Sequence, residues 1–272
     1  MKKLSIITIC YNDPNLENTC KSIVEQTWQD FEWIVVDGGS NEEIQKIWNK
    51  YKYRIDQFIS EPDKGVYDAQ NKGINLASGE YLNFLNSGDS YFDRNILSDI
   101  FKNTKHTEDL LYGDIYRTYN DFPEKNSYRK YKEKLNKKFF IPYNLNTQAI
   151  FVKRDLFEKY GMYNTTYKIV ADLDRWLDFY EHNAKFKYLN RVIVNYDMTG
   201  LSSSNGNQEL HKKEKMNVLS KYFTQKEIEK EYKNKNKPSY KFFERIFSVK
   251  NTKDKKYKIL TILGILIKIK KS

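Results

Sequence analysis

The fold is decided by two short runs of the chain, LSIITICYNDP at residues 4–14 and FEWIVVDGGS at residues 31–40. Each run begins with a strand of mostly β-branched and aromatic residues, at 4–9 and 31–36, and each strand stops at a polar or glycine-rich turn. Short runs rich in β-branched and other apolar residues are typical of parallel strands that are buried on both faces. The two runs therefore predict two central strands of a parallel sheet.

Helical and strand patterns alternate outward from these runs. Apolar residues at helical spacing predict helices at residues 16–24, 44–51, 66–77, 96–101 and 173–180. Strands are expected at residues 55–59, 81–85, 148–152 and 188–196. This order predicts an α/β fold with a mostly parallel, doubly wound sheet that binds ligands at the carboxyl ends of its strands. The polar clusters at 10–13, 37–40 and 86–89 all follow strands, so we expect them to form one site.

The composition excludes several kinds of protein and of site. A chain of 272 residues that is 39% apolar can bury one sizeable core, which excludes a peptide, a collagen-like fibre and a disordered chain. Cys10 and Cys20 are its only cysteines, too few for a disulfide scaffold or a zinc site built from Cys, and suited to a reducing compartment. The three histidines are too scattered to predict a metal cage.

The net charge of +11 is carried by the C-terminal part of the chain. Residues 1–206 hold 28 Lys and Arg against 29 Asp and Glu, whereas residues 207–272 hold 19 against 7. We therefore expect a neutral folded domain at 1–206 and a basic extension at 207–272. Within the domain, residues 117–141 are polar and basic with little apolar periodicity, which predicts a surface excursion or a flexible loop.

The apolar stretches are too short to predict a membrane span. Strand-like residues follow Met1-Lys2-Lys3 at once, without the apolar region of a secretory signal. The other long apolar stretch, residues 259–269, has roughly half the length needed to cross a bilayer. These features predict a cytoplasmic location.

Three segments together resemble the family 2 type of inverting nucleotide-sugar glycosyltransferase, which has the GT-A fold. They are SIITICYN at 5–12, WIVVDGGS at 33–40 and SEPDKGVYDAQNKG at 60–73, and the last is most similar to members that build O-antigen and capsule polysaccharides. The likeness extends over residues 1 to about 205. It implies a GT-A catalytic domain with a nucleotide-sugar half at 1–115 and an acceptor half at 116–206.

The resemblance implies that the donor nucleotide binds at the ends of the first strands. The family's equivalent of Asp37 contacts the uracil of the donor, and Cys10, Tyr11 and Asn12 would lie along the base. From the residues alone, Asp37 is also consistent with an Asp that forms a turn before two glycines. Asn12 is in the same way consistent with a helix cap.

The same resemblance implies further donor contacts around the next helix and strand. Asp63, Asp68, Asn71 and Lys72 surround a predicted helix start, where N–H groups and the helix dipole favour anions. Lys72 would meet the diphosphate and Asn71 a sugar hydroxyl, with a solvated helix face as the alternative. Donor contacts are also implied for Asn86, Ser87 and Gly88.

Asp89 follows a predicted strand and is the one clear candidate ligand for Mg²⁺ or Mn²⁺. Such cations prefer hard oxygen ligands, often one or two carboxylates together with phosphate and water. Asp89 resembles the last Asp of the family's short acidic run, but Asn86 and Gly88 occupy places that are often acidic. Metal affinity should therefore depend on the bound nucleotide. Taken alone, the segment is more typical of a polar β-turn.

Asp172 is the predicted general base. The run from Gly161 to Asp174 resembles the family's acceptor-side motif, in which an Asp takes the proton of the acceptor hydroxyl. Ala171 stands where Glu is frequent, so Asp174 is the reserve candidate, and Gln148 is an implied acceptor contact. Without the resemblance, Asp172 is expected to cap the helix that follows it.

The basic extension favours a membrane surface. Residues 241–247 and the last twenty residues, which contain seven lysines, suit interfacial amphipathic helices that contact anionic lipid. This fits an acceptor carried on undecaprenyl diphosphate at the inner face of the plasma membrane. The alternatives are a helix folded onto the catalytic domain and a solvated basic tail. Nucleic acid is not an expected partner, because the segment has no reader motif, and the oligomeric state is left open.

Together these features predict a metal-dependent, inverting enzyme that moves a hexose-type sugar from a UDP-sugar to a lipid-linked saccharide in bacterial surface polysaccharide synthesis. Inversion follows from direct displacement with one base, since no nucleophile for a double displacement is evident. One alternative is a catalytically silent nucleotide-sugar-binding protein, which Ala171, Asn86 and Gly88 allow. The other is a nucleotidyltransferase, although residues 10–14 lack the glycine-rich, basic first loop of that class.

Overall fold

Seven consecutive buried residues form each of the two central strands, β1 (Leu4–Cys10) and β2 (Phe31–Asp37). In the computed structural model, which describes residues 2–119, 122–200, 205–236, 247–251, 257–262 and 265–270, these strands pair in parallel. β3 (Gln57–Ser60) joins β2 and β4 (Tyr81–Phe84) joins β1, again in parallel. The prediction of a sheet with its carboxyl ends at one edge is confirmed.

Amphipathic helices cover this part of the sheet at the predicted places. They are α1 (Leu16–Val24), α2 (Glu42–Tyr51), α3 (Val66–Leu76) and α4 (Ile96–Phe101). α1 buries Leu16, Cys20 and Ile23, which recur at helical spacing. α2 begins where the side chain of Asn41 accepts a hydrogen bond from the backbone N–H of Ile44 at 3.2 Å.

The second part of the sheet mixes parallel and antiparallel strands. Its strands are β5 (Ser90–Tyr91), β6 (Leu110–Thr118), β7 (Ser127–Arg129), β8 (Ile150–Lys153) and β9 (Phe186–Asp197). The sheet order is β3-β2-β1-β4-β8-β6-β9-β5, with β7 paired to β6. β8 is antiparallel to both β4 and β6, whereas β9 is parallel to β6. The helices α5 (Arg154–Tyr160), α6 (Ala171–Glu181) and α7 (Gln208–Tyr222) accompany these strands.

The region from 110 to 148 corrects three sequence expectations. β6 crosses the predicted division of the halves at 115, so residues on both sides of that point belong to one strand. Residues 117–141 are not a mere surface excursion, because Tyr131 and Phe140 are buried and β7 extends the sheet. Gln148 lies in a 3₁₀ turn, and the strand starts only at Ile150. Isolated buried residues between charged ones leave no periodic signal to detect.

The folded domain also extends further than expected. The compact unit that contains the sheet spans Met1–Thr224, so the boundary expected at 206 is wrong. Helix α7 is fixed to α6 by the Lys221 ammonium, which lies 3.0 Å from a carboxylate oxygen of Asp174. It also carries the buried carboxylate of Glu214. The change in charge near 206 marks a change of surface composition and not an end of packing.

The second compact unit, Gln225–Ser272, contains α8 (Gln225–Asn236) and three strands. β10 (Phe247–Asn251), β11 (Tyr257–Ile262) and β12 (Ile265–Lys270) form an antiparallel sheet in that order. The expected interfacial helix in the last residues is therefore wrong, because alternating Ile and Lys in β12 follow the two-residue period of a strand. Residues 241–246 lie outside the described residues. No described helix is long and apolar enough to span a bilayer.

Candidate functional site

A cavity of about 780 Å³ lies at the carboxyl ends of β1 and β4 and continues along β6, β9 and the start of α6. From the loops after β1, β3 and β4 it is lined by Cys10, Tyr11, Asp13, Asp63, Asn86, Ser87 and Asp89. From the second part of the unit it is lined by Arg117, Arg129, Asn144, Thr147, Gln148, Asp172, Asp197, His211 and Lys215, among others. The cavity brings together the predicted metal ligand Asp89 and the predicted base Asp172.

Asp89 is almost completely buried at the cavity. Its carboxylate accepts a hydrogen bond of 2.9 Å from the backbone N–H of Asp197. Burial raises the pKa of Asp89 well above its ordinary value, and the nearby carboxylates of Asp197 and Asp13 raise it further. These surroundings therefore disfavour the ionised form of the Asp89 carboxyl group.

Gly88 lets these carboxylates approach one another. Its φ is +89°, and a Cβ there would lie 3.1 Å from Oδ2 of Asp13 and 3.4 Å from Oδ2 of Asp197. The predicted donor residue Ser87 donates a hydrogen bond of 2.7 Å to Oδ2 of Asp13. Gly88 thus shapes the wall of the cavity, although it is not among its lining residues.

Asp172 occupies the second position of α6, where its carboxylate is held by donors from several elements. Oδ2 accepts hydrogen bonds from Nδ2 of Asn144 at 2.9 Å and from Oγ1 of Thr147 at 3.2 Å. Oδ1 accepts from the backbone N–H of Leu173 at 2.8 Å and lies 3.2 Å from the hydroxyl of Tyr67. Burial raises the pKa of Asp172, and these hydrogen bonds oppose that rise.

Asp37 lies behind the cavity and is not among its lining residues. Its fully buried carboxylate accepts hydrogen bonds from the backbone of Ser40 at 2.9 Å and from the hydroxyl of Ser60 at 2.7 Å. Side-chain nitrogens of Gln45 and Trp48 lie 2.8 and 3.3 Å from it. Burial acts to raise the pKa of Asp37, but the hydrogen bonds outweigh burial and lower it. The implied uracil contact stays a prediction.

Four other predicted donor residues also lie outside the cavity lining, because each side chain has a partner elsewhere: Asn12, Asp68, Asn71 and Lys72. The side chain of Asn12 accepts from the backbone N–H of Asn41 at 2.8 Å, and that of Asp68 accepts from the N–H of Lys64 at 3.0 Å. Asn71 exchanges two hydrogen bonds with the backbone of Tyr163, at 2.9 and 3.0 Å. Lys72 forms an ion pair of 2.8 Å with Glu61.

Of the two residues predicted on the acceptor side, Gln148 lines the cavity and Asp174 forms a buried ion pair elsewhere. Gln148 lines the cavity, and its side chain hydrogen bonds to Asp89. Asp174 does not line the cavity, because its buried carboxylate faces α7 and binds Lys221 and the hydroxyl of Tyr222. The reserve base is therefore placed on the other side of α6 from the cavity.

Several lining residues were not predicted from the sequence. Asp197 ends β9, and its position after a strand is the same signal that pointed to Asp89. Arg129 lies in the basic stretch that was expected to be a loop. His211 and Lys215 lie beyond the expected domain boundary, one helical turn apart on α7. Burial and the charge of Lys215 lower the pKa of His211.

Comparison with known proteins gives a family and a related sequence. The sequence profile of glycosyl transferase family 2 matches residues 5–161. A glycosyltransferase of PGL/p-HBAD biosynthesis from Mycobacterium tuberculosis is 33% identical over 199 residues, which are 71% of this chain and 75% of that protein. The match extends well beyond the segments that carry the motifs.

Solved structures share the fold. S. aureus TarS 1–349 in complex with UDP-GlcNAc aligns with a TM-score of 0.59 at 19% identity, over 72% of this chain and 58% of that one. The mannosyltransferase PcManGT from Pyrobaculum calidifontis, in complex with GDP-Man and Mn²⁺, aligns with a TM-score of 0.55 at 18% identity, over 71% and 56%. At these identities the likeness shows the GT-A fold. The aligned region covers little more than half of each of those two solved chains. With the sequence profile and the mycobacterial relative, it shows that this chain belongs to glycosyl transferase family 2.

Proposed function

We propose that the protein transfers a sugar from a UDP-sugar to a saccharide acceptor with inversion of the anomeric carbon. We also propose that the acceptor is lipid-linked, on undecaprenyl diphosphate, and that the product is a bacterial surface polysaccharide such as O-antigen or capsule. The observation that carries the proposal is the single cavity lined by both Asp89 and Asp172. The bound UDP-GlcNAc of the TarS structure and the PGL/p-HBAD biosynthesis name of the relative support it.

The donor would bind between the loops after β1, β3 and β4. Tyr11 lies on the cavity with 67% of its surface exposed, so its ring is available for stacking against a uracil. Cys10, Asp63 and Asn86 complete this side of the cavity. The buried carboxylate of Asp37 would support the wall by fixing the turn that follows β2.

The site fits a divalent cation bound together with the donor. No three His, Cys, Asp or Glu side chains in the described ranges are arranged to hold a metal ion by themselves. Asp89 offers a hard oxygen ligand. Burial and neighbouring carboxylates raise its pKa, and a bound cation would stabilise its ionised form against both effects. Mg²⁺ or Mn²⁺ held by Asp89 and the donor phosphates would neutralise the charge of the departing UDP.

Asp172 would accept the proton of the acceptor hydroxyl as the new bond forms. Tyr67 has one hydroxyl hydrogen, which is directed to the carbonyl oxygen of Ile169 at 2.7 Å, a shorter contact than the 3.2 Å to Asp172. Oδ1 of Asp172 therefore keeps a lone pair for a substrate hydroxyl. Attack from this side, opposite the departing nucleotide, is a single displacement and inverts the anomeric carbon.

A screen of nucleotide-sugars with Mn²⁺ and a panel of saccharide acceptors tests the proposal, with released UDP as the readout. We expect acceptor-dependent release from a UDP-sugar, and an Asp89→Asn variant that loses most of this release. Binding of UDP without turnover by any donor would favour the catalytically silent nucleotide-sugar-binding protein. No binding of UDP, with turnover of another nucleotide-sugar, would contradict the donor assignment.

A further inference from the structure

Two arginines face the cavity from neighbouring strands. β6 and β7 pair so that Ile115 lies opposite Arg129 and Arg117 lies opposite Ser127. Ile115, Arg117 and Arg129 all line the cavity, which places the two arginines on the same face of this strand pair. They are diagonal neighbours, a position in which Cα atoms are about 7–8 Å apart and long side chains can reach one group.

Neutral groups fix the guanidinium of Arg129 and leave its charge uncompensated. It donates hydrogen bonds to the carbonyl oxygen of Asn144, at 2.8 Å, and to the side-chain oxygen of Asn146, at 3.3 Å. It also lies 4.9 Å from the ring centre of Tyr131. The arginine ion pairs of the described residues involve other arginines, so neither Arg117 nor Arg129 has a carboxylate partner among them. Two like charges on one face repel each other unless an anion lies between them.

The arginines belong to the acceptor side of the cavity. Asn144, whose carbonyl oxygen holds Arg129, donates its side-chain N–H to Oδ2 of Asp172 at 2.9 Å. Arg129 is thus connected to the proposed base through one residue. The residues proposed to hold the donor, such as Tyr11 and Asp89, come from different loops at the ends of β1 and β4.

We propose that Arg117 and Arg129 form a subsite for an oxyanion carried by the acceptor, a phosphate or a carboxylate. The planar fork of an arginine binds either group through two parallel hydrogen bonds, and two forks on adjacent strands suit one shared anion. The acceptor class is then an anionic saccharide: a sugar phosphate, a saccharide on a lipid diphosphate, or a glycan with a uronic acid. The proposal rests on the proposed function, because it takes Asp172 as the mark of the acceptor side.

The test measures probe binding to the full chain saturated with UDP and Mg²⁺, so that the donor site is filled. Glucose 1-phosphate, methyl glucuronide and the neutral methyl glucoside are titrated separately and followed by saturation-transfer NMR. We expect at least one anionic probe to bind about tenfold tighter than the glucoside. A response to glucose 1-phosphate alone identifies phosphate, and a response to the glucuronide alone identifies a uronic acid.

The variants assign this preference to the arginines. Arg117→Gln and Arg129→Gln should each lose most of it, while Arg129→Lys keeps the charge but not the fork and should retain part. Lys130→Gln is the matched control, since it removes an exposed charge one residue away from Arg129 and outside the cavity lining. UDP affinity, measured for each variant, should stay within about twofold of the parent chain and reports that the donor side is folded.

Three results would overturn the inference. Equal binding of neutral and anionic probes by a parent chain that binds UDP contradicts this proposal alone. If the arginine variants lost UDP affinity but kept the preference for anionic probes, the arginines would be assigned to binding of the donor diphosphate instead. Failure of the parent chain to bind UDP at all would remove the proposed function and this subsite together.

Discussion

Asp172 combines a position on the cavity with a carboxylate that donors hold in place. If it is the base, Asp172→Asn should lower transfer by about 100-fold or more, since general bases contribute about 10²–10⁴-fold. UDP affinity should change little, because Asp172 comes from the acceptor side. Released UDP in the presence of an acceptor and calorimetric UDP binding measure the two effects.

Asp174→Asn is the control for this change. It removes a carboxylate from the same helix, but one that faces Lys221 and α7 and not the cavity. Transfer should stay near the parent value. Preserved transfer in the Asp172 variant, together with weakened UDP binding, would contradict the assignment of the base.

The pH profile gives a second test of Asp172. Its pKa is raised by burial, so transfer should begin to fall, as the pH is lowered, above the ordinary carboxyl range of about 4. The hydrogen bond from the hydroxyl of Thr147 lowers this pKa, so Thr147→Val should move the acid limb to higher pH. Rate against pH for both proteins measures the shift. An unchanged limb, or a shift to lower pH, would show that another group controls it.

Asp37 is expected to act through stability. Its carboxylate has four donors, so Asp37→Asn should lower the free energy of unfolding by about 2–3 kcal/mol at neutral pH. Because the folded-state pKa of Asp37 is lowered, this stabilisation is present above the ordinary carboxyl pKa and is lost as the pH falls through the folded value. Urea unfolding at several pH values measures it.

The same variant tests the implied uracil contact. The carboxylate of Asp37 does not line the cavity, so UDP affinity of the folded variant should remain within a few fold of the parent value. If UDP affinity fell by about tenfold or more under conditions in which both proteins are folded, the result would support the uracil contact that the family resemblance implies.

At the scale of elements, α7 holds in place the segment that precedes α6, the helix that carries Asp172. The buried carboxylate of Glu214 accepts hydrogen bonds from the backbone N–H groups of Lys168 and Ile169, at 2.8 and 2.9 Å. Glu214→Ala leaves both donors without this partner, and we expect a loss of about 3 kcal/mol in the free energy of unfolding. Urea unfolding measures the loss, and transfer should fall with it.

Glu209→Ala is the matched control on the same helix. Glu209 is exposed, so its removal should change the free energy of unfolding by less than about 0.5 kcal/mol. Equal stability of the Glu214 and Glu209 variants would mean that α7 does not fix the segment before α6.

The elements differ in how far the sequence could predict them. β1 and β2 were predictable, because each is rich in β-branched and aromatic residues and ends in a polar or glycine-rich turn. β6 and α7 were missed, since their apolar residues are interrupted by Asp114 in one case and by lysines in the other.

The candidate site was predictable only in part, for a similar reason. A position after a strand pointed to Asp89 and Ser87, because the topology alone brings strand ends together. It could not show that Lys72 pairs with Glu61, or that Asn71 binds the backbone of Tyr163, since these partners come from separate segments. Strand order predicts where a residue lies, whereas its contacts depend on tertiary packing.

At the scale of the whole molecule, the basic C-terminal unit is expected to bind anionic membranes. In β12, the last four residues alternate between Ile and Lys. Each lysine near an anionic membrane surface contributes about 1 kcal/mol to the free energy of binding. The full chain should float with vesicles that contain phosphatidylglycerol, and a chain that ends at Thr224 should be recovered several-fold less. Vesicles of phosphatidylcholine alone are the control.

The shorter chain should keep its affinity for UDP, because the cavity lining ends within Met1–Thr224. Equal flotation of the two chains would remove the membrane role of the C-terminal unit. A loss of UDP affinity would show that the catalytic unit needs the rest of the chain.

Helix α3 joins the two parts of the catalytic unit. Asn71 exchanges hydrogen bonds with the backbone of Tyr163, and the hydroxyl of Tyr67 donates to the carbonyl oxygen of Ile169. These bridges oppose a clamshell opening, in which one half would swing away from the other. Substrates would then enter and products leave through the mouth of a cleft of nearly constant width.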